Sequence, residues 1–178
     1  MTHYSFNHFI QELEYGIPRA ENPMDYIHTT AQALQKLLGN DYLFEKDYLR
    51  ALRDGYTDGQ VYESPEHGFV VKVFGWAPGV QTPIHDHQTW GVMGIYQNQL
   101  KVTEFDLEKT DAPGVYDIQT KQEYVAERGA IAYLLSPEDE IHHVQNIGDD
   151  YALSIHIYGK EITDYHIYDI EEGQIRRA

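Results

Sequence analysis

Beyond about residue 56 the chain breaks into short runs rich in β-branched and aromatic residues, each closed by a turn signal. That rhythm limits the possible folds more than any other feature. The runs cover 69–76, 91–97, 100–106, 115–118, 130–135, 142–147, 151–158 and 165–170. Between them stand Ala77-Pro78-Gly79, Asn98-Gln99, Ala112-Pro113-Gly114, Arg128-Gly129, Ser136-Pro137 and Gly148-Asp149-Asp150. Such residues either tolerate positive φ or pre-set a turn. About eight strands at this spacing predict a mainly β fold, a jelly-roll barrel.

The first third follows a helical period instead. Phe6, Phe9, Ile10 and Leu13 share a face until Tyr15-Gly16-Ile17-Pro18 breaks the run. A second helix starts after Asn22-Pro23, carries the stripe Ile27, Ala31, Leu34 and Leu38, and ends at Gly39-Asn40. Phe44, Tyr48 and Leu52 predict a third, closed by Asp54-Gly55. The expectation is one domain over 1–178: a helical N-terminal segment, 1–55, packed on a β-barrel, 56–170.

Composition narrows the chemistry. The 178 residues include no cysteine, which excludes disulfides, thiolate metal sites, iron–sulfur clusters and cysteine nucleophiles. With 13 basic against 29 acidic residues the net charge is −16, a field that repels phosphate and argues against nucleic-acid or anionic-membrane binding. No apolar run approaches the ~20 residues of a membrane span. Met1 to Ile10 lacks the basic start and apolar stretch of a signal peptide, so a cytoplasmic location is expected. Ten histidines, the carboxylates and 15 tyrosines remain for catalysis.

Three stretches gather those residues. In Gly79-Val80-Gln81-Thr82-Pro83-Ile84-His85-Asp86-His87, extended backbone points His85 and His87 the same way, ~7 Å apart along the strand. Two imidazoles on an inner barrel face can hold one divalent metal if a third ligand comes from elsewhere. Pro137-Glu138-Asp139-Glu140-Ile141-His142-His143-Val144-Gln145-Asn146 offers that ligand at the start of a strand. In Ser154-Ile155-His156-Ile157-Tyr158 the polar residues line one face and the isoleucines the other. A Ser–His–Tyr relay fixes the imidazole tautomer and aims the phenol at a metal pocket. A half-buried strand with satisfied polar groups would carry the same pattern. A hydrolase triad would not, because no acid orients His156 and no strand–turn–helix elbow holds Ser154.

The first two stretches resemble the paired motifs of cupins, Gly-x5-His-x-His and Pro-x-Gly-x2-His-x3-Asn. Gly79 stands six residues before His85, and Pro137, His142 and Asn146 fit the second motif, with Asp139 in place of its glycine. The fit implies His142 rather than His143 as third ligand. Many cupins add a glutamate soon after His-x-His, but Gln88-Thr89-Trp90-Gly91-Val92-Met93 contains no acid. Three neutral imidazoles would leave the metal its full charge and about three open positions, suited to a thiolate and then O2.

In this order the three motifs resemble the cysteine dioxygenase family of thiol dioxygenases over about residues 56–159, with Trp76-Ala77-Pro78-Gly79 and Trp90-Gly91 adding detail. The resemblance implies a cupin jelly-roll barrel that holds Fe2+ on His85, His87 and His142. It implies an outer relay of Ser154, His156 and Tyr158, and oxidation of a small thiol to its sulfinic acid. Eukaryotic-type members carry a cysteine that crosslinks to the tyrosine. This chain has none, and Trp90-Gly91 resembles the bacterial branch that includes 3-mercaptopropionate dioxygenases. The family also holds the substrate carboxylate with an arginine or glutamine upstream of the barrel. One register places Asp58 there and another places Gln60. Gln60 would donate to a carboxylate; Asp58 would repel one and prefer an amine or hydroxyl. Arg50 and Arg53 are further candidates. The expected partners are O2 and a small thiol, in the order 3-mercaptopropionate, cysteine, another small thiol. No nucleic acid and no membrane are expected, and the chain is expected to act as a monomer or homodimer.

Two other readings stay open. Three imidazoles and a water also describe a zinc hydrolase, which needs a general base such as Glu138 or Glu140. A non-catalytic metal- or ligand-sensing cupin is the second, although no basic patch marks a regulator. His3, His8, His28, His67 and His166 read as surface or packing groups, and Trp90 and Tyr133 as core or pocket wall.

Overall fold

The structure, a computed structural model, describes residues 4–41, 43–44, 57–137 and 140–178. The third expected helix lies outside these residues apart from Phe44, as do Arg50, Arg53, Glu138 and Asp139.

Two helices open the chain. At the start of α1 (Phe6–Gly16) the Ser5 hydroxyl accepts from the His8 N–H at 3.2 Å, and the His8 ring accepts from the Ser5 N–H at 3.4 Å. The α2 helix (Pro23–Leu38) follows Asn22, whose side chain accepts from the Asp25 N–H at 3.1 Å, with proline in the first turn. Ile27, Leu34 and Leu38 are buried as the stripe expects. Ala31 is only half-buried, and Thr30, Ala33 and Leu37 widen the buried face instead.

Ten strands follow among the described residues: β1 (Thr57–Glu63), β2 (Val70–Trp76), β3 (Gly91–Gln97), β4 (Gln99–Lys109), β5 (Tyr116–Glu127), β6 (Ile131–Leu134), β7 (His142–Gln145), β8 (Ala152–Tyr158), β9 (His166–Asp169) and β10 (Gln174–Arg177). One sheet runs β1-β2-β8-β3-β6, a second β5-β4-β7, and β9 and β10 form a hairpin. All pairings are antiparallel. The segment 79–86 joins the second sheet to the hairpin. Thr82 N–H donates to the Val144 carbonyl at 2.9 Å, and Tyr168 N–H to the Ile84 carbonyl at 2.9 Å. This is the mainly β jelly roll that the strand rhythm predicts.

The large sheet is covered on both faces. Val71, Val73, Leu153, Ile155 and Ile157 pack with Phe9, Leu13, Ile27, Leu34 and Leu37 of the helices. Val70, Phe74, Trp76, Ala152 and Tyr158 pack with Leu100, Val102 and Val144 of the opposite sheet. Two-sided burial explains why β2, apart from Lys72, and β3 up to Tyr96 carry no polar alternation, where a one-sided sheet would alternate. At Gly94 the helix comes so close that a Cβ would stand 2.8 Å from the Leu34 and Leu38 side chains. Among the described residues no helix is long and apolar enough to cross a membrane.

Candidate metal centre

Backbone pairing assembles the histidines. His85 and His142 exchange both N–H···O=C bonds at 3.0 Å, which sets their side chains side by side on one face. His87, two residues on, joins them. The ring centroids are 4.6 Å apart for His85 and His87, 4.9 Å for His85 and His142, and 4.8 Å for His87 and His142. Each ring offers one nitrogen, and the three lie within 4.8 Å of one another, a set that can hold a metal ion. His143 takes the other face of β7, in register with Thr103, and is not part of the cluster.

The protonation pattern suits metal binding. His85 Nδ1 lies 2.9 Å from the Pro83 carbonyl. A carbonyl only accepts, so Nδ1 carries the hydrogen and Nε2 keeps its lone pair. His87 Nδ1 is buried with no hydrogen-bond partner. Such an orphan is rare in a protein interior, and within this cluster it marks a donor set completed by something other than protein atoms. Burial holds His85 below the usual imidazole range, and burial with the neighbouring rings holds His87 and His142 well below it. All three are neutral near pH 7.

Beside them runs a hydrogen-bonded chain. Trp76 Nε1–H donates to Ser154 Oγ at 2.8 Å, Ser154 Oγ lies 2.8 Å from His156 Nε2, and His156 Nδ1 lies 2.9 Å from Tyr158 Oη. An indole N–H can only donate. Ser154 therefore accepts from Trp76, and its second lone pair and its own hydrogen suit either tautomer of His156. In the tautomer with its hydrogen on Nδ1, His156 takes the Ser154 hydrogen at Nε2 and donates to the phenol oxygen, and the Tyr158 O–H then donates beyond the chain. Burial pushes the His156 pKa down to about 3, so the relay stays uncharged. The Tyr158 ring stacks on His87 at 5.1 Å and 19°. Gly91 permits that position: a Cβ there would lie 2.9 Å from Tyr158 Cδ1 and 3.0 Å from Cε1.

A cavity of about 300 Å³ opens onto the three histidines, His156 and Tyr158. Lys72, Phe74 and Tyr165 also line it, and none of the three stands out in the sequence as a site residue. Gln60 does not line it; the side chain is exposed and its amide donates to Glu63 at 3.2 Å. Asp58 pairs with Phe74 through the backbone of β1, and its side chain lies outside the described part.

Two carboxylates buttress the histidine loop. Glu140 accepts from the N–H groups of His87 and Gln88 at 3.2 and 2.9 Å and from the Ser136 hydroxyl at 2.9 Å. It thereby steadies a turn in which Gln88 adopts φ 55°, and both its oxygens are committed there rather than to a general-base position. Asp86 is buried between the two histidines. It accepts from the His166 N–H and the Tyr168 hydroxyl, each at 2.8 Å, and from Gln88 Nε2 at 2.8 Å. Asn146 is structural: its Nδ2 donates to the carbonyls of Trp76 and Asp150 at 2.8 and 2.9 Å.

Fold and site together define a metal-dependent cupin enzyme. Among solved structures, the chain is similar to an uncharacterized conserved protein with a double-stranded β-helix domain from Klebsiella pneumoniae, at 12% identity over 73% of this chain and 99% of that one, with a TM-score of 0.48. It is similar to a cupin superfamily protein from Desulfitobacterium hafniense, at 14% identity over 70% and 96% of the two chains, with a TM-score of 0.47. The family profile described as cysteine dioxygenase type I matches residues 45–171, a span that contains all three motifs, and the chain belongs to that family.

Proposed function

We propose that the chain is a non-haem iron(II) thiol dioxygenase that converts a small thiol to its sulfinic acid, RSH + O2 → RSO2H. The observation that carries this reading is the donor set: three imidazoles, neutral and close, with no carboxylate among them. When bound by His85, His87 and His142, iron supplies the positive charge that favours thiolate over thiol and the redox centre at which sulfur and O2 meet. The chain's own residues do the rest. The imidazoles add no negative charge. Tyr158 presents a hydrogen-bond donor beside the histidines, held in place by the His156 contact at 2.9 Å. Ser154, which accepts from Trp76, holds the other nitrogen of His156 at 2.8 Å and so fixes the plane of the ring. Phe74 meets His156 edge-on at 4.5 Å and screens the relay from bulk water.

Metal content of protein purified without added metal, followed by O2 uptake on 3-mercaptopropionate, cysteine and cysteamine, tests the reading. Stoichiometric iron and equal amounts of O2 consumed and sulfinate formed are expected. Zinc in the site, or no thiol-dependent uptake by iron-loaded protein, overturns it.

A further inference from the structure

Strand β8, which carries His156 and Tyr158, lies between β2 and β3 in its sheet. Residues of β2 line the cavity of about 300 Å³ that opens onto all three histidines. Residues of β3 line a second cavity, of about 30 Å³, which His142, His156 and Tyr158 also border. His85 and His87 line the first and not the second. The two spaces therefore meet the site from opposite sides of one partition. The second is narrow and apolar within. Met93, Val102, Phe105 and Leu134 form its buried part, and it reaches the surface beside Lys121 and Tyr133, the latter 52% exposed. The charged groups on its wall are already engaged. Glu104 accepts from the Tyr124 hydroxyl at 3.0 Å and from Gln122 Nε2 at 2.6 Å, Lys121 pairs with Asp106 at 3.6 Å, and Glu140 holds the histidine turn.

We infer that the smaller cavity is a separate entrance for O2, so that gas and thiol reach the histidine cluster along different paths. The inference rests on the proposed dioxygenase reading. One water needs about 10–15 Å³ of such space, so a cavity of about 30 Å³ admits a diatomic molecule and excludes a thiol with a chain of several heavy atoms. Chemistry selects in the same direction as size. O2 has no polar group, and it gives up no hydrogen bonds when it leaves water for a passage between Met93, Val102, Phe105 and Leu134. A water or a charged thiolate gives up its own and finds few in return. A thiol seated in the larger cavity fills the approach past His85 and His87. The smaller cavity stays open at that moment, because it lies beyond β8, and it ends on His142 and Tyr158.

Xenon, an apolar probe of similar size, tests the passage without turnover. Crystals of the metal-loaded protein under xenon pressure are expected to hold xenon among Val102, Phe105 and Leu134. Ala132 lines the same cavity, opposite Met93 in register and only half-buried, so a larger side chain is tolerated there. Ala132→Ile fills the space with a residue that suits a strand. It is expected to remove the xenon and to lower kcat/KM for O2, measured at saturating thiol, by about tenfold, a barrier higher by about 1.4 kcal/mol. Iron content and KM for the thiol should stay as they are. Val102→Ala widens the cavity, is expected to raise xenon occupancy, and serves should Ala132→Ile fail to fold. Xenon confined to the larger cavity, unaltered occupancy in Val102→Ala, or unaltered kcat/KM for O2 in Ala132→Ile overturns the inference. So does an equal rise in KM for the thiol, because the two substrates would then share one entrance. If no thiol drives O2 uptake by the unaltered protein, the dioxygenase reading fails, and the xenon site alone decides whether the cavity takes an apolar guest.

Discussion

His142 and His143 are adjacent and chemically identical, yet strand geometry separates their tasks. His142 is locked to His85 by paired backbone bonds, while His143 faces away from the cluster. His142→Ala is expected to abolish iron retention during gel filtration, and His143→Ala to keep it. The reverse result would mean that β7 is displaced by one residue. Gly91 makes a second residue-scale test. A methyl there meets a ring already held by stacking on His87 and by the bond to His156. Gly91→Ala should therefore displace the phenol at a cost of about 1–3 kcal/mol, and reduce turnover far more than metal content. Full activity in Gly91→Ala would detach Tyr158 from the chemistry. The resemblance to the second cupin motif picks His142 over His143, and a strand's two-residue period accounts for the other lying on the opposite face.

At the scale of elements, legibility in the sequence is uneven for a physical reason. The apolar run 91–97 coincides with the limits of β3, because burial on both sides makes that strand continuously apolar. The run 115–118 captures only the start of β5, which extends over Tyr116–Glu127. The second half of β5 is mostly exposed and polar, and the ladder offered by β4 makes it a strand, not its own pattern. Lys72 and Asp86 escape a sequence reading, and Glu140 enters it only as a candidate base, for a related reason: a buried charge is recognised by its partners, and those are distant along the chain. Asp86 shows what such a partner does. It ties the His85 and His87 segment to β9 through His166 and Tyr168. Asp86→Ala leaves the buried Tyr168 hydroxyl and the half-buried His166 N–H unpaired, and removal of one side of such a network costs about 3–5 kcal/mol. Melting should fall by about 6–20 °C, and iron affinity by about 10- to 100-fold as the ligand loop loses its support. Tyr168→Phe, which removes one donor, should reproduce only a fraction of both effects. Equal affinity in Asp86→Ala would show that the β9–β10 hairpin closes the barrel without positioning the metal ligands.

Across the whole molecule the histidine cluster couples stability to pH. His85, His87, His142 and His156 are all held neutral in the fold by burial, below the roughly 6.5 they recover on unfolding. Between the two values the unfolded chain binds more protons than the folded one, so stability rises with pH. It is fully present above about 6.5 and is lost as pH falls toward the folded values, with His156 not protonating in the fold until about 3. At about 1.4 kcal/mol per pH unit, His156 alone removes about 2 kcal/mol between pH 6.5 and 5, or roughly 4–8 °C of melting temperature for a chain of this size. A bound divalent ion competes with protons for the same lone pairs, so the metal-loaded protein should resist acid further and release its metal as it melts. Melting temperatures of metal-free and iron-loaded protein at pH 7, 6 and 5 measure both effects. The metal-free curve should descend steadily, and in His156→Gln the descent should be shallower by the share that His156 contributes. A level metal-free curve over that range would mean that the imidazoles reach solvent and carry protons in the folded state, and a cluster of that kind has no lone pairs to offer a metal at the lower pH.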